Sequence, residues 1–280
     1  MNILVGADDK YIKPCATTLL SLKKTSRTPN NIYFMMWEGS EISNDNIKII
    51  KNSLKKDDTF NIIKLPYIEQ IKCIDCGRFG ASILMRVVAL FFLPTNIDKI
   101  LYIDSDIIFK KNIIDFYNNN ENCVYAIREK NAFADKLCFQ YGITDNFYIN
   151  SGFVLFNLNL IRKIYTRDSY FKKIEILSKY KFVNPDQDLL NILFINKKGT
   201  PTNPNYIHLT NYKLIKNKGK IYGIHYILKP KPWELEYKNI KLGLLYWKFA
   251  KHIFGAKECF MHYKIFFLHI FEAIKHRFTN

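Results

Sequence analysis

Strand-like and helix-like stretches alternate from the first residues of the chain, and this alternation limits the possible folds more than any other feature. NILVGA predicts a strand, YIKPCATTLLSLKKT has the spacing of an amphipathic helix, and NNIYFMMWEG predicts a second strand. The order repeats with a helix in EISNDNIKIIKNSLKK and a strand in FNIIKL, followed by a largely apolar helix in ASILMRVVALFFL. CVYAIRE and NFYINSGFVLFNL predict further strands, and YFKKIEILSKY predicts a basic helix. Such alternation is typical of an α/β fold.

An acidic triplet interrupts the most apolar of these stretches. Asp104, Ser105 and Asp106 lie inside a run from Ile100 to Phe109 that has the composition of a strand buried on both faces. An ionised carboxylate in such a place is costly unless a partner neutralises it. If the chain stays extended, both carboxylates point to the same side, where a divalent cation could bind them. A strand-ending turn is the alternative, although the apolar run resumes at once after the triplet.

Size and charge narrow the possible functions without choosing one. With 280 residues, 48% of them hydrophobic, the chain can bury a full core, either as one large domain with an appendage or as two domains. Its formal net charge of +17 favours polyanionic partners. Nucleic acid, an anionic membrane surface and phosphate-bearing substrates all qualify, and charge alone does not distinguish them.

The cysteines and the first residues predict a cytoplasmic protein. Six cysteines without a regular framework are typical of reduced thiols, and the lone pair Cys73 and Cys76 lacks the second pair that a structural zinc site needs. The start MNILVGADDKY has no basic segment followed by a long apolar one, so we predict no secretory signal.

The segment KFVNPDQDLLNILF predicts a helix with a polar start. Asn184 can cap it, and Pro185 suits its first position. Asp186 and Asp188 then fall in the first turn, where the helix dipole favours negative charge. Capping alone could account for both acids, so a role in a binding site is one of two interpretations.

The segment GIHYILKPKPW concentrates a histidine, two lysines, two prolines and a tryptophan where no regular helix can form. His225 could bind a metal, and Lys229 and Lys231 could pair with phosphates. A single histidine is usually structural and a lysine near proline is usually solvated. The combination is therefore what favours a site.

Taken in order, GADDKY, SILMR, LYIDSDIIF, YINSGFVLFNL, NPDQDLLN and HYILKPKPW resemble the motifs of the family 8 glycosyltransferases. These are retaining enzymes with a GT-A fold, and they include bacterial lipopolysaccharide galactosyl- and glucosyltransferases. The resemblance spans residues from about 3 to 233. It implies a Rossmann-like α/β catalytic domain over residues 1–233, with a mixed, mostly parallel central sheet, and a helical C-terminal segment over residues 234–280.

The resemblance also implies an activity and a site. The enzyme would move galactose or glucose from a UDP-sugar to a cell-surface glycan such as lipopolysaccharide or lipooligosaccharide. Asp104, Asp106 and His225 would hold Mn²⁺ or Mg²⁺, which bridges the diphosphate and neutralises the leaving UDP. Arg86, Asp186 and Gln187 would form the catalytic set. The implied donor-binding residues are Ala7, Asp8, Tyr11, Arg86, Asp104, Ser105, Asp106, Asn150, Gly152, Asp186, Gln187, His225 and Lys231.

Individual roles follow from the matching motifs. Ala7, Asp8 and Tyr11 would surround the uridine, Lys231 would contact the phosphates, and Asp186 would contact the sugar hydroxyls. Arg86 would reach the diphosphate and the sugar, although an arginine on an apolar helix could also extend its head to solvent. Asn150 and Gly152 would also lie at the donor, in the segment that contacts the sugar.

Gln187 would lie at the β face of the anomeric carbon. A glutamine is a weak nucleophile, so retention would proceed through a short-lived oxocarbenium ion, with the acceptor attacking the face that UDP leaves.

Three positions depart from the family pattern. Lys10 stands where an Asn is frequent, which weakens the expectation of a uridine contact there. Leu228 stands where a Gly is common, so the backbone would approach the phosphates less closely. Many members have an Asp near the segment AIRE, and the nearest acid in this chain is Glu129.

The tail from Lys238 onward mixes aromatic and basic residues. It is interrupted by charge too often to span a bilayer, which takes roughly 20 mostly apolar residues. A helical pair packed on the catalytic domain is one interpretation. Peripheral attachment to the anionic inner face of the plasma membrane, beside a lipid-linked glycan acceptor, is the other, and bacterial members of the family that the chain resembles often carry such a segment. The residues concerned are Trp247, Phe249, Phe254, Phe266, Phe267, Phe271, Lys241, Lys248, Lys251, Lys257, Lys264, Lys275 and Arg277.

Two rival functions fit less well. A phosphatase with an Asp-x-Asp nucleophile would need a threonine shortly after the motif, where this chain has Ile108. A basic nucleic-acid-binding protein without catalysis is supported by the charge and by 15% aromatic residues, but the sequence contains no recognised nucleic-acid module. We therefore expect no nucleic-acid partner.

Overall fold

The structure is a computed structural model that describes residues 1–77, 80–119, 121–203, 206–210 and 221–278, with side chains described as far as residue 268. The strands are β1 (Asn2–Gly6), β2 (Asn31–Trp37), β3 (Thr59–Leu65), β4 (Lys99–Ile103), β5 (Ile107–Phe109), β6 (Val124–Arg128), β7 (Ile149–Asn157), β8 (Lys198–Gly199), β9 (Ile207–Leu209) and β10 (Gly223–His225).

The helices connect these strands or cover their faces. They are α1 (Ile12–Thr25), α2 (Asn44–Asn52), α3 (Glu69–Lys72), α4 (Met85–Val88), α5 (Ile114–Tyr117), α6 (Ala132–Gln140), α7 (Leu158–Ile164), α8 (Arg167–Leu177), α9 (Pro185–Leu193), α10 (Ile240–Ala250) and α11 (Ala256–Phe278).

Seven strands form the central sheet in the order β3-β2-β1-β4-β7-β6-β8. Strands β3, β2, β1 and β4 run parallel to their neighbours, as does β8 to β6. Among the described strands of this sheet, only β7 runs antiparallel to both of its neighbours, β4 and β6. The sheet is therefore mixed and mostly parallel, as predicted for an α/β fold of this kind.

The central strands β1 and β4 are buried on both faces. Successive side chains of a strand point to opposite sides, and each side packs against helices. On β1, Ile3 and Val5 pack with α1 and α2 in one hydrophobic cluster, while Leu4 belongs to a second cluster with α4, α8 and α9. On β4, Leu101 and Tyr102 divide between the two clusters in the same way. This explains why the apolar strands show no simple alternation of polar and apolar residues.

The apolar segment predicted as one helix is broken into three short pieces. Residues Ala81–Leu84 and Ala89–Phe91 form 3₁₀ turns on either side of α4. Every residue from Leu84 to Leu90 is buried, so packing on all sides overrides the preference for a continuous helix.

The acidic triplet joins two different sheets. β4 ends at Ile103, the chain turns at Ser105 and Asp106, and β5 begins at Ile107 in a second sheet with the order β5-β10-β9. The chain is therefore not extended through the triplet, and the apolar run belongs to two strands. Strand β10 pairs antiparallel with β5, with His225 opposite Ile107. This pairing brings the histidine beside the acidic turn.

The two C-terminal helices lie on this second sheet and on each other. Helix α10 buries Tyr246 and Trp247 in a cluster with Ile108, Ile224 and Tyr226. Helix α11 packs on α10 through residues that include Phe266, whose ring occupies the space where a Cβ at Gly243 would lie.

Of the predicted tail residues, Phe249 and Phe254 also pack against this cluster, whereas the side chain of Phe267 is exposed. The side chains of Phe271, Lys275 and Arg277 lie outside the described residues. Among the helices described, none has the length and apolar character needed to cross a membrane.

Candidate active site

Two carboxylates and an imidazole meet where the two sheets join. The Nε2 atom of His225 lies 3.0 Å from Oδ1 of Asp106 and 3.4 Å from Oδ2 of Asp104. One ligand atom from each of the three residues lies within 4.8 Å of the others. Two carboxylate oxygens and an imidazole nitrogen at this spacing can bind one divalent cation.

The backbone of β7 leaves room for this cluster only because residue 152 is glycine. The N–H of Asp104 donates to the carbonyl oxygen of Gly152 over 2.8 Å, which holds the two strands close together. A Cβ on Gly152 would lie 2.3 Å from Oδ2 of Asp104 and 2.3 Å from Cε1 of His225. Any larger residue at this position would displace one of the ligand side chains.

The unsatisfied atoms of the cluster also fit a bound cation. Oδ1 of Asp106 and Nδ1 of His225 are buried and form no hydrogen bond with the residues that the structure describes. Burial lowers the pKa of His225, but Asp106 and Asp104 outweigh it and raise that pKa to about 9. Without a metal, the positive charge on His225 compensates Oδ1 of Asp106, which lies 3.0 Å from Nε2. A divalent cation that displaces the proton from Nε2 would supply the same compensation, so this donor set suits Mn²⁺ or Mg²⁺.

Lys231 supplies a buried positive charge to the same carboxylate. Its Nζ lies 2.6 Å from Oδ2 of Asp106 and also donates to the carbonyl oxygen of Tyr226. Burial raises the pKa of Asp106, but Lys231 and His225 outweigh it and hold that pKa below its usual value. Asp106 is therefore ionised at neutral pH.

Arg86 joins the metal cluster to the start of α9. Its Nη2 lies 3.1 Å from Oδ1 of Asp104, and its Nε lies 3.2 Å from Oδ2 of Asp186. Its Nη1 donates to the carbonyl oxygen of Ser151 over 2.9 Å, and the guanidinium lies 4.3 Å from the ring centre of Tyr102. The side chain is buried and paired, so it does not extend to solvent as the alternative interpretation proposed.

The same arginine acts differently on its two acids. Burial raises the pKa of Asp104, but Arg86 and His225 outweigh it and bring that pKa well below its usual value. Burial also raises the pKa of Asp186, and there Arg86 offsets only part of the effect, so the pKa stays raised.

A second network surrounds Gln187. Its amide oxygen accepts hydrogen bonds from the backbone N–H of Ser151 over 3.1 Å and from Nδ2 of Asn150 over 3.2 Å. Its Nε2 donates to Oε1 of Glu129 over 3.3 Å, and Asn150 donates to the same oxygen over 2.9 Å. The side-chain amide oxygen Oδ1 of Asn150 accepts from the backbone N–H of Gly152. One carboxylate thus orients both amides.

Glu129 is the residue of this network that sequence reasoning did not assign. Its only signal in the sequence is its place directly after β6, in a segment where the resembled family often has an acid. The structure brings its carboxylate to two residues of the predicted site, Asn150 and Gln187.

The predicted residues of the first loop lie near the cluster and also stabilise their own turn. Oδ1 of Asp8 accepts from the backbone N–H groups of Lys10 and Tyr11 over 3.1 Å each, directly before α1. Ser105 Oγ donates to the carbonyl oxygen of Gly6 over 3.2 Å. The rings of Tyr11 and Trp233 contact each other edge to face, with their centres 5.7 Å apart.

Ala7, the remaining predicted residue of this loop, packs against the hydrophobic cluster that contains α1 and α2. Contacts of these residues with uridine stay predictions.

Asp188 has a structural role that its position near Asp186 does not reveal. Its carboxylate accepts from the hydroxyls of Tyr141 and Tyr148 and from the backbone N–H groups of Val183 and Asn184. The expected side-chain cap by Asn184 is absent at this helix start, because the backbone entering α9 is fixed by Asp188 instead. Asp186 therefore belongs to the candidate active site, whereas Asp188 stabilises the loop that precedes α9.

Comparison with known proteins gives concordant matches. A sequence profile described as "Glycosyl transferase family 8" matches residues 2–236. A lipopolysaccharide 1,2-glucosyltransferase of Escherichia coli is 24% identical over 256 residues, covering 83% of this chain and 73% of that protein. The glycosyltransferase GlyA of Streptococcus pneumoniae is 26% identical over 242 residues, covering 83% of this chain and 32% of that protein.

Solved structures with the same fold include a galactosyltransferase, LgtC, in complex with donor and acceptor sugar analogs. It superposes with a TM-score of 0.71 at 18% identity, covering 91% of this chain and 97% of that one. The bifunctional glycosyltransferase WbbM superposes with a TM-score of 0.72 at 15% identity, covering 94% of this chain and 51% of that one. At these identities the similarity shows the fold, which is GT-A.

Proposed function

The chain belongs to glycosyltransferase family 8, and on that premise we propose that it is a metal-dependent, retaining hexosyltransferase that uses a UDP-sugar as its donor. The observation that carries this proposal is the convergence of Asp104, Asp106 and His225 beside two buried cations, Arg86 and Lys231. Adjacent acidic and basic groups of this kind suit a divalent cation with a diphosphate. The comparisons give no support to the alternative of a nucleic-acid-binding protein.

The residues of the chain would act mainly by binding and positioning. A bound divalent cation would act as a Lewis acid on the diphosphate. Arg86 and Lys231 would donate charge-assisted hydrogen bonds to the phosphate oxygens as negative charge develops on UDP. Asp186, which Arg86 holds at 3.2 Å, would accept hydrogen bonds from sugar hydroxyls.

Gln187 suits a positioning role better than a nucleophilic one. Its amide oxygen already accepts three hydrogen bonds from the protein, two from the backbone N–H and hydroxyl of Ser151 and one from Asn150. An oxygen held in this way is poorly placed to form a covalent bond with the sugar. We therefore infer retention through an oxocarbenium-like transition state, with the acceptor hydroxyl attacking from the side that UDP leaves.

We expect Gln187→Ala to reduce turnover only in part, by about 10-fold to 1000-fold, because one electrostatic contact is lost and no covalent intermediate depends on it. UDP release measures the rate, and NMR of the product measures the anomeric configuration. Gln140→Ala, at the exposed end of α6, is the matched control and should leave the rate unchanged. A sugar covalently bound to Gln187, or a product of inverted configuration, would contradict this mechanism.

The experiment that tests the proposed function is UDP release from a panel of UDP-sugars, with and without Mn²⁺. UDP-glucose and UDP-galactose should be hydrolysed slowly even without an acceptor, and only with a divalent cation present. Equal UDP release with and without the cation would contradict metal dependence. No release from any UDP-hexose, alone or with glycan acceptors, would contradict the assigned donor class.

For the acceptor we propose a cell-surface glycan of the lipopolysaccharide or lipooligosaccharide class, assembled on a lipid at the inner face of the plasma membrane. The support is the similarity to lipopolysaccharide glucosyltransferases and an unusual feature of α11. One side of this helix packs on α10, and the opposite side carries further apolar and basic side chains. The exposed stripe consists of Lys257, Phe260, Met261, Lys264, Phe267 and Leu268.

This stripe has the composition of a helix that lies at a membrane surface. Phe260 and Phe267 are 69% and 70% exposed, and the spacing of the stripe places them on one face with Lys257 and Lys264. Aromatic side chains favour the interface, and each lysine near an anionic surface contributes about 1 kcal/mol. We propose that α11 attaches the enzyme peripherally to anionic membrane lipids.

The double variant Phe260→Gln/Phe267→Gln is expected to bind vesicles containing phosphatidylglycerol at least about 10-fold more weakly than the parent protein. Full burial of one large apolar side chain contributes about 1.5–3 kcal/mol, and the variant loses two rings. Sedimentation measures the bound fraction, which high salt should also lower. The control, Phe133→Gln/Phe139→Gln on α6, removes two similarly exposed rings, 50% and 91% exposed, and should not change binding. Equal sedimentation of both variants and the parent protein would refute attachment through α11.

Removal of the whole tail would be a poorer test. Truncation after Tyr237 deletes α10, whose Tyr246 and Trp247 are fully buried against Ile224 and Tyr226. Loss of one such buried aromatic ring destabilises a protein by about 3–5 kcal/mol. A truncated protein could therefore lose membrane binding through unfolding alone.

A further inference from the structure

We propose that Lys231 acts as an internal counter-ion of Asp106, which couples the binding of the divalent cation to the binding of the donor diphosphate. The inference rests on the proposed donor site and deepens it. It assigns to one lysine two alternative partners, a carboxylate of the metal cluster and a phosphate group, and it predicts that the two ligands bind cooperatively.

The geometry fixes Lys231 firmly on the carboxylate. The residue is only 7% exposed, and its Nζ lies 2.6 Å from Oδ2 of Asp106. The same Nζ donates to the carbonyl oxygen of Tyr226, while the backbone N–H of Lys231 donates to Oε2 of Glu234 over 2.6 Å. Both ends of the residue are therefore anchored, and its ammonium group is directed at the metal cluster.

The carboxylates of Asp104, Asp106 and Asp186 are each paired with a buried arginine or lysine. Arg86 contacts both Asp104 and Asp186, and Lys231 contacts Asp106. The two oxygens of the Asp106 carboxylate therefore have different partners: Oδ2 contacts Lys231, and Oδ1 contacts His225. A cation that binds to Asp106 shares this carboxylate with an ammonium group, and like charges at such distances repel each other in a buried site.

The repulsion has two possible outcomes. If Lys231 stays on Asp106, cation binding is weakened. If it leaves without another anion nearby, a buried ammonium is left unpaired, which is strongly unfavourable. A diphosphate provides that other anion, because its oxygens can accept from Lys231 while the cation takes over Asp106. The cation should therefore bind weakly alone and more tightly with UDP.

Thermodynamic linkage makes this coupling reciprocal, so it can be measured from either ligand. The probes are MnCl₂ and UDP, with the dissociation constant of Mn²⁺ measured by electron paramagnetic resonance, with and without UDP. Calorimetric titration of UDP, with and without Mn²⁺, checks the reciprocal value. Neither measurement depends on turnover.

We expect Lys231→Gln to bind Mn²⁺ without UDP about 10-fold more tightly than the parent protein, because the competing charge is gone while the amide can still donate to Asp106. The factor by which UDP tightens Mn²⁺ binding should fall by about 10-fold, within the usual range of such couplings. Lys231→Met should behave alike, and thermal unfolding verifies that both variants fold. Lys238→Met, an exposed lysine, is the control and should change neither constant.

Unchanged or weaker Mn²⁺ binding without UDP in folded Lys231→Gln and Lys231→Met would overturn the inference. This failure is distinct from failure of the proposed function. If the Lys231 variants bind Mn²⁺ more tightly as expected but the parent protein releases UDP from no UDP-hexose, the donor assignment fails and the coupling stands. If it hydrolyses a UDP-hexose while the variants bind Mn²⁺ like the parent, the coupling fails alone.

Discussion

Asp106→Asn is expected to weaken cation-dependent UDP binding by about 100-fold or more while the protein stays folded. Even the outer partners of metal ligands typically contribute 10-fold to 100-fold to affinity, and Asp106 offers the cation a direct oxygen ligand. The substitution removes a full negative charge at nearly constant volume. It also leaves an amide oxygen that can still accept from Lys231, which lies 2.6 Å from the carboxylate. Calorimetric titration of UDP, with and without Mn²⁺, measures the effect.

The control separates loss of a ligand from loss of one negative charge on a basic protein. Asp168→Asn, in the exposed first turn of α8, removes the same charge far from the acidic triplet in sequence and should leave both titrations unchanged. Thermal unfolding of both variants tests whether the fold persists. Mn²⁺-dependent UDP binding that is undiminished in Asp106→Asn would remove this residue from the metal site.

The fold was largely predictable because its signals are local. The strands and helices of the N-terminal half alternate in sequence, and an apolar strand such as β1 can be predicted from the short stretch NILVGA alone. The break of the apolar segment around α4 was not predictable, because it depends on packing between the sheet, α8 and α9. Helix propensity does not report such tertiary packing.

The residues of the site were more predictable than the backbone arrangement that brings them together. The resemblance to a family named Asp104, Asp106 and His225, and the structure brings these three together. For the triplet itself the sequence left two alternatives open, an extended strand and a strand-ending turn, and the structure has the turn, between β4 and β5. Pairing between strands about 115 residues apart in sequence, β5 and β10, creates this turn, and sequence pattern alone does not report distant pairing.

Electrostatic connections were the least predictable part. Arg86 could have been a surface arginine, but it joins Asp104 and Asp186 in the interior. Glu129 had no clear signal, although its carboxylate orients both Asn150 and Gln187. These contacts depend on side-chain positions set by several strands and helices at once, and no local spacing encodes them.

The C-terminal segment shows how composition can mislead. Its aromatic and basic residues left two interpretations open, packing on the catalytic domain and attachment to a membrane surface. In the structure α10 contributes Trp247 to the core, and α11 has apolar residues on both a buried and an exposed face. Phe266 is buried against α10, whereas Phe267, the next residue, is 70% exposed. Composition counts both rings alike, and only the helical packing separates their roles.

Gly152→Ala is expected to abolish cation-dependent UDP binding as completely as loss of a ligand does. The added methyl group would lie 2.3 Å from Oδ2 of Asp104 and 2.3 Å from Cε1 of His225, far inside van der Waals contact. The backbone cannot retreat easily, because the carbonyl oxygen of Gly152 accepts from the N–H of Asp104 over 2.8 Å. At least one ligand side chain must therefore turn away, and we expect affinity to fall by about 100-fold or more.

This variant tests the geometry without changing any charge. Calorimetric titration of UDP with Mn²⁺ gives the loss, and thermal unfolding separates a displaced ligand from an unfolded protein. Gly255→Ala is the matched control, since a Cβ there meets only Oε2 of Glu258 at an ordinary 3.5 Å. If folded Gly152→Ala binds UDP and Mn²⁺ as tightly as the parent protein, Asp104 and His225 do not bind the cation in the arrangement described. Loss of binding in Gly152→Ala but not in Gly255→Ala requires the close approach of β7 to the metal cluster, because the two substitutions add the same methyl group.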